Sequence, residues 1–91
     1  SAAEKLFKQA IASDSKMFTA KNNLVITLGK QGIYRLPVIP MNDKERAILL
    51  YNLAREAIRN GDVDIVRGLL SDAIDIHPQH FEAAVSLLAS L

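Results

Sequence analysis

The two histidines are the residues whose type and spacing most readily suggest chemistry. His77 and His80 lie three positions apart, with the carboxylates of Asp75 and Glu82 close by in the sequence. Imidazole nitrogens and carboxylate oxygens are common zinc ligands, so these four residues could form a metal site. Pro78 interrupts any helix between the histidines, however, and there is no third histidine. The two rings need not point the same way, so we predict a solvated turn and no bound metal.

The remaining polar residues do not form a catalytic pattern. No serine lies in a strained strand-turn-helix elbow, and no glycine-rich phosphate loop is present. Four aspartates gather between residues 62 and 75, but the first two fall in the first turn of a predicted helix, where the helix dipole favours negative charge. The chain has no cysteine, which excludes thiolate zinc sites, disulfides and cysteine nucleophiles. We predict no catalytic residue, no cofactor and no enzymatic activity.

Length and charge narrow the class of protein further. A chain of 91 residues can form one small domain, and its 49% apolar content favours a folded core over disorder. The formal net charge of +1 gives no reason to expect a nucleic acid partner. The longest apolar run, Leu24 to Leu28, is far shorter than the ~20 residues that a membrane span requires. We therefore predict a single domain over residues 1–91, with no membrane span and no nucleic acid partner.

Apolar residues recur at spacings of three and four along nearly the whole chain, which predicts an all-α fold. Asn42 and Glu45 have the spacing of a capping box, and Gly61 follows the same predicted helix as a stop signal. Asp62 is a candidate N-cap for the next helix, within which Gly68 is predicted to permit a close helix approach. The pattern predicts five helices, at about 2–14, 18–30, 43–60, 62–76 and 79–91.

Packing positions also repeat along the chain. The spacings of Ala3, Phe7, Ala10 and Ser15 recur 63 positions later, in Val66, Leu70, Ala73 and Pro78, and two further sets recur at offsets of 29 and 34. A 34-residue helix-turn-helix unit with this order of small, aromatic, small and proline residues resembles the tetratricopeptide repeat. The resemblance implies a solenoid of stacked helix pairs. Because the chain starts part-way through a repeat, we expect it to be a fragment of a longer repeat protein.

The offset of 29 is five residues short of a full repeat, and the deficit falls where a second helix should lie. Residues 33–41, which we call the strap, occupy this place, and the two prolines Pro37 and Pro40 in an apolar run favour an extended path over a helix. One interpretation is that the strap fills the groove left by the missing helix. The other is a docking segment, because Pro37-x-x-Pro40 has the spacing of ligands for aromatic-lined grooves, or a strap that swaps into another protomer.

In tetratricopeptide arrays the first helix of each pair lines the concave binding surface. The resemblance therefore assigns this surface to Ile48, Tyr51, Arg55, Ile58 and Arg59, and in the preceding repeat to Thr19, Asn22, Ile26, Gly29 and Lys30. Tyr51 and Arg55 are residue types that dominate interface hot spots, and they lie one helical turn apart. The alternative is that Tyr51 packs under the strap and Arg55 is only solvated. The Asn and Lys set with which some repeat domains hold an acidic C-terminus is not reproduced, since Ile26 and Arg55 stand where Asn is expected.

A narrower resemblance covers about fifty residues. The segments Leu36-Pro37-Val38-Ile39-Pro40-Met41, Tyr51-Asn52-Leu53-Ala54 and His77-Pro78-Gln79-His80-Phe81 resemble the C-terminal part of TadD-type proteins, which are tetratricopeptide lipoproteins of the bacterial tight-adherence (Flp) pilus machinery. This resemblance implies an assembly factor at the periplasmic face of the outer membrane, with a secretin or a pilus-assembly subunit as partner. If the TadD resemblance is set aside, the expected compartment is the cytoplasm.

Self-association is the alternative function. Phe81, Val85, Leu88 and Leu91 form an apolar stripe on the last predicted helix, with no following helix to cover it. Terminal repeats normally present a polar outer face, so the stripe would make this chain a structural repeat domain that dimerises through its terminal helix.

Overall fold

A computed structural model describes the backbone of residues 2–91 and the side chains from Lys16 onward. Within this range the chain forms four α-helices: α1 (Ala2–Lys30), α2 (Asp43–Asn60), α3 (Val66–Ile76) and α4 (Glu82–Ala89). A short 3-10 turn, Val63–Ile65, leads into α3, and residues 2–91 contain no β-strand. The predicted all-α class is therefore confirmed, whereas the predicted five helices are four.

The first two predicted helices are one helix in the structure. We predicted a break between residues 14 and 18, but α1 continues from Ala2 to Lys30. Ser15 stands where the repeat pattern expects proline. A proline would remove a backbone hydrogen-bond donor and clash with the preceding turn, whereas Asp14 and Ser15 do neither. Their weak helix propensity costs only a fraction of a kcal/mol each, about 0.5, which is too little to stop a long helix. The packing positions assigned to Ala3, Phe7 and Ala10 lie outside the described side chains.

Both ends of α2 follow the predicted signals. Asn42 accepts a hydrogen bond from the Glu45 backbone N–H at 2.8 Å, and the Asn42 N–H donates to the Glu45 carboxylate at 3.0 Å, which completes the capping box. At the other end Gly61 adopts a left-handed backbone conformation with φ of 80°. The Asp62 N–H then donates to the Ala57 carbonyl at 2.8 Å, as in a Schellman motif.

The starts of α3 and α4 differ from the predictions. Asp62 makes no side-chain cap, and α3 begins only at Val66, after the 3-10 turn. Asp62 instead accepts a hydrogen bond from the Tyr34 hydroxyl of the strap. The last helix begins at Glu82 rather than near Gln79, because the residues around Pro78 remain irregular.

The core lies on two sides of α2. On one side Leu49 and Leu53 are fully buried against Val25 of α1, and on the other Ala54 and Ala57 pack with the fully buried residues Val66, Leu70 and Ala84 of α3 and α4. Leu69 contacts both clusters. The main helix contacts join helices that are consecutive in the chain, and the molecule measures 52 × 28 × 19 Å. Its radius of gyration of 15.0 Å exceeds the roughly 12 Å of a compact chain of this length, so the packing is elongated.

The strap runs without helix or strand, as the prolines predict. Leu36 and Met41 pack against the Val25–Leu49–Leu53 cluster, and Tyr34 packs against the other cluster. Val38, between the two prolines, is fully exposed. The two ends of the strap therefore cover the core, while its middle faces solvent.

Candidate functional site

An aromatic contact holds Tyr51, the aromatic residue of the candidate site. The rings of Tyr51 in α2 and Phe81, immediately before α4, have centroids 5.4 Å apart and planes tilted by 55°. The His77 ring also contacts Phe81, with the two ring centroids 4.7 Å apart. Tilted ring contacts of this kind are favourable, and they fix the Tyr51 ring in a half-buried position on the core.

Two arginines one helical turn apart, Arg55 and Arg59, line the same groove as Tyr51. The Arg55 guanidinium carbon lies 5.9 Å from the centroid of the Tyr51 ring, within cation–π range. Arg55 is exposed, and no described carboxylate pairs with it. Arg59 is also exposed and donates to the buried carboxylate of Glu56 at 2.6 Å. These residues line a groove of about 410 Å³, the Tyr51 groove, with Tyr51, Arg55, Ile58, Arg59 and Leu87 as its walls.

The structure brings together only part of the predicted binding surface. Tyr51, Arg55 and Arg59 line the groove, as does Ile58. Ile48, which was also predicted, is half-buried and is not part of the lining. The groove also includes Leu87 of α4, which the sequence did not assign to a binding surface.

The other predicted binding residues lie in different surroundings. The Asn22 carboxamide accepts a hydrogen bond from Asn52 at 2.7 Å across the α1–α2 contact. Gly29 is buried where α1 crosses α2. Pro37 is half-buried and Pro40 exposed in the strap, and neither lines the Tyr51 groove. Asn22 and Gly29 therefore lie at the α1–α2 contact, and the strap prolines, predicted as a separate docking segment, lie apart from the Tyr51 groove.

The alternative prediction combined a Tyr51 ring under the strap with a solvated Arg55, and the exposed Arg55 agrees with its second half. It placed the ring under the 36–41 part of the strap, but Leu36 and Met41 pack on the α1 side of α2. Tyr51 packs on the α3–α4 side, against Phe81. Only the start of the strap shares a cluster with Tyr51, because Tyr34 packs on that cluster whereas Leu36 and Met41 pack on the other.

Glu56, the ion-pair partner of Arg59, belongs to the candidate site but was not predicted from the sequence. Its side chain is 4% exposed, whereas that of its partner Arg59 is 59% exposed. Its burial could have been predicted from its spacing in the sequence. Glu56 follows Leu49 by seven residues and Leu53 by three, so it lies on the same face of the helix as these two leucines. A carboxylate buried this far is costly unless it is paired, and the Arg59 hydrogen bond supplies that pairing. Glu56 thereby holds the Arg59 guanidinium beside the groove.

The two histidines have separate local partners. The His77 ring nitrogen Nδ1 accepts from the Gln79 backbone N–H at 3.0 Å, while His80 Nε2 lies 2.7 Å from the Glu82 carboxylate. The hydrogen bond with His80, and then that from the Ser86 hydroxyl, lowers the pKa of Glu82 below its usual value. Among the described side chains no group of three or more His, Cys, Asp or Glu could hold a metal ion.

Comparisons of the chain with protein-family models, with curated proteins and with solved structures find no match. None of the helices described for residues 2–91 is both long enough and apolar enough to cross a membrane. Function is therefore inferred from the geometry of the chain itself.

Proposed function

We propose that this chain is a non-catalytic module that binds another protein through the Tyr51 groove. The observation that carries the proposal is the exposed Arg55 guanidinium next to the half-buried Tyr51 ring, one turn from Arg59. Tyrosine and arginine are enriched among the residues that supply most of the energy of protein interfaces. A ring fixed by Phe81 loses little conformational freedom on binding, which favours affinity.

The helix arrangement supports a scaffold of the tetratricopeptide type. Neighbouring helices pack chiefly on one another, and the molecule is elongated, as in repeat proteins built from stacked helix pairs. Within that proposal α2 and α3 form the complete helix pair, and the strap takes the place of a helix in the pair before it.

The charge of the groove gives the chemistry of the partner. Arg55 and Arg59 line the groove and no carboxylate does, although Glu56 partly neutralises Arg59 from below. We therefore propose a partner surface with an acidic residue next to an apolar one. The TadD resemblance extends this proposal to a secretin or a pilus-assembly subunit, at the periplasmic face of the outer membrane.

The test is a crosslinking pull-down from a bacterial envelope extract with this chain as bait. Arg55→Glu is the main variant, because it reverses a charge on an exposed residue. Lys44→Glu is the matched control, since Lys44 is exposed on the same helix and lies outside the groove. Circular dichroism of each variant checks that the helices remain folded.

Recovery of a secretin or pilus subunit with wild type and Lys44→Glu, and its loss with Arg55→Glu, would support the proposal. A secretin recovered equally with Arg55→Glu would contradict the Tyr51 groove as the binding surface. A crosslinked product that contains only this chain would contradict the pilus assignment.

A further inference from the structure

A second and larger cleft lies between the start of the strap and α3. Its volume is about 660 Å³, and it shares no lining residue with the Tyr51 groove. One wall is formed by residues 32–35, and the other by the 3-10 turn and α3, through Asp64, Ile65, Gly68, Leu69 and Asp72. The cleft therefore borders the strap, which lies where the repeat pattern predicts a helix.

The α3 wall has the shape of a helix-packing surface. Its members from residue 64 to 72 follow one another at intervals of one and three, so alternate members are four apart, which is the spacing of a single helix face. At its centre a Cβ built on Gly68 meets no heavy atom within 4 Å, so another backbone can approach closely. Ile33 and Ile65 flank this point and remain 40% and 37% exposed. The cleft thus offers an apolar lining to an incoming helix.

The charges in the cleft favour a basic occupant. Asp64 and Asp72 line the α3 wall, and Arg35 is the one cation among the lining residues. A helix that entered with an apolar face and flanking lysines would match both the lining and its charge.

The first part of α1 has this composition. In the sequence from residue 2 to 11, apolar residues recur at spacings of three and four, namely Ala3, Leu6, Phe7, Ala10 and Ile11. Lys5 and Lys8 outnumber Glu4, so the segment has a net positive charge. Its backbone is helical.

A chain cannot place this segment in its own cleft. The cleft begins at Gly32, just beyond the end of α1 at Lys30. Residue 11 lies 19 positions before Lys30 in one continuous helix, which at 1.5 Å per residue separates them by about 28 Å. Only the helix of another molecule can bring residues 2–11 to the cleft without breaking α1.

We propose that residues 2–11 of a second copy of this chain dock as a helix in the cleft between the strap and α3. If each copy inserts its helix into the other, the contact is reciprocal and closes as a two-fold dimer. The interface is separate from the Tyr51 groove, so the dimer leaves that groove free for its partner.

Analytical ultracentrifugation of the 91-residue chain over a range of concentrations tests the proposal. We expect a monomer–dimer equilibrium. Gly68→Arg should fill the cleft and weaken dimerisation at least tenfold, while the monomer stays folded because the site is open and arginine favours helix. Ser71→Arg is the matched control, because Ser71 is exposed on α3 and does not line the cleft.

A crosslinking experiment tests the pairing itself. The chain has no cysteine, so Lys8→Cys and Asp72→Cys chains can be mixed and oxidised, and we expect mixed disulfide dimers to exceed those of either chain alone. A wild-type chain that stays monomeric would overturn the proposal, as would equal dimerisation of Gly68→Arg and wild type. Loss of the dimer with Leu91→Ser but not with Gly68→Arg would assign the interface to the terminal helix instead.

Discussion

Gly29 determines how closely α1 and α2 can approach. A Cβ built at this position would lie 2.9 Å from Cβ and 3.0 Å from Cγ of Glu56, and 3.3 Å from Cδ2 of Leu53. The first two distances are shorter than ordinary van der Waals contacts, and they involve the base of a buried side chain that cannot swing away. Gly68, which the sequence predicts to permit a close helix approach, has no described heavy atom within 4 Å of a Cβ built there. Gly68 is thus open to a close approach, as predicted, but spacing alone does not show that Gly29 is the glycine used between helices of the same chain.

The two glycines therefore respond oppositely to alanine. Gly68→Ala should raise the free energy of unfolding by up to about 1 kcal/mol, because alanine is the better helix former at an open site. Gly29→Ala gains the same propensity but overpacks the α1–α2 contact, so we expect a net loss of about 1 kcal/mol or more. Urea unfolding of both variants and of wild type measures the sign of each change in the free energy of unfolding. A stabilised Gly29→Ala chain would show that α1 and α2 are less tightly packed than the structure has them.

At the scale of elements, one polar cluster joins α1, the strap and α2. The Asn60 amide donates to the Gly29 carbonyl and to the Tyr34 hydroxyl, each at 2.8 Å, and the Tyr34 hydroxyl donates to Asp62. The cluster thus fixes the start of the strap to the ends of both helices. Because the hydroxyl donates to a carboxylate, Asp62 raises the pKa of Tyr34 above its ordinary value of 10.0.

This raised pKa predicts a pH dependence. The folded state favours the protonated phenol, so the stabilisation by Tyr34 is complete below about pH 10, the ordinary tyrosine pKa, and is lost as pH rises through the higher native pKa. Tyr34→Phe should be less stable than wild type at neutral pH, and the difference should shrink in alkaline solution. Urea midpoints of both chains between neutral and strongly alkaline pH measure it. A difference that stays constant with pH would contradict the Tyr34–Asp62 hydrogen bond.

At the scale of the whole molecule, α2 separates two apolar clusters. Leu53 lies in the cluster shared with α1, and Leu70 in the cluster shared with α3 and α4, and both are fully buried. Leu69 contacts the two clusters and so couples them. The fold has no single centre, yet neither half is independent of the other.

Truncation of either leucine tests this coupling. Leu53→Ala and Leu70→Ala should each cost about 2 to 5 kcal/mol, a large part of the stability of so small a domain. Because the clusters are coupled, each variant should still unfold in one transition, at a lower temperature than wild type. Thermal unfolding followed by circular dichroism measures this. A second transition that only one of the variants shifts would indicate two separately folding halves.

The sequence by itself determined the all-α class, the capping box at Asn42, the glycine stop at Gly61 and the irregular path through the strap. These features depend on residues within one or two helical turns of each other, so local spacing and turn chemistry suffice to predict them. For the site, the resemblance to the tetratricopeptide repeat assigned Tyr51, Arg55 and Arg59 to one face of α2.

The tertiary structure alone decided which faces meet. It paired Tyr51 with Phe81 rather than with the strap, buried Glu56, and used Gly29 for the close helix contact. Tyr51 and Phe81 are 30 positions apart in the sequence, and Gly29 and Glu56 are 27 apart. The periodicity of one helix does not indicate which residues of another helix will contact it. The continuity of α1 through Ser15 has a different reason. The weak helix propensity of Asp14 and Ser15 costs too little free energy to end a helix that continues to Lys30.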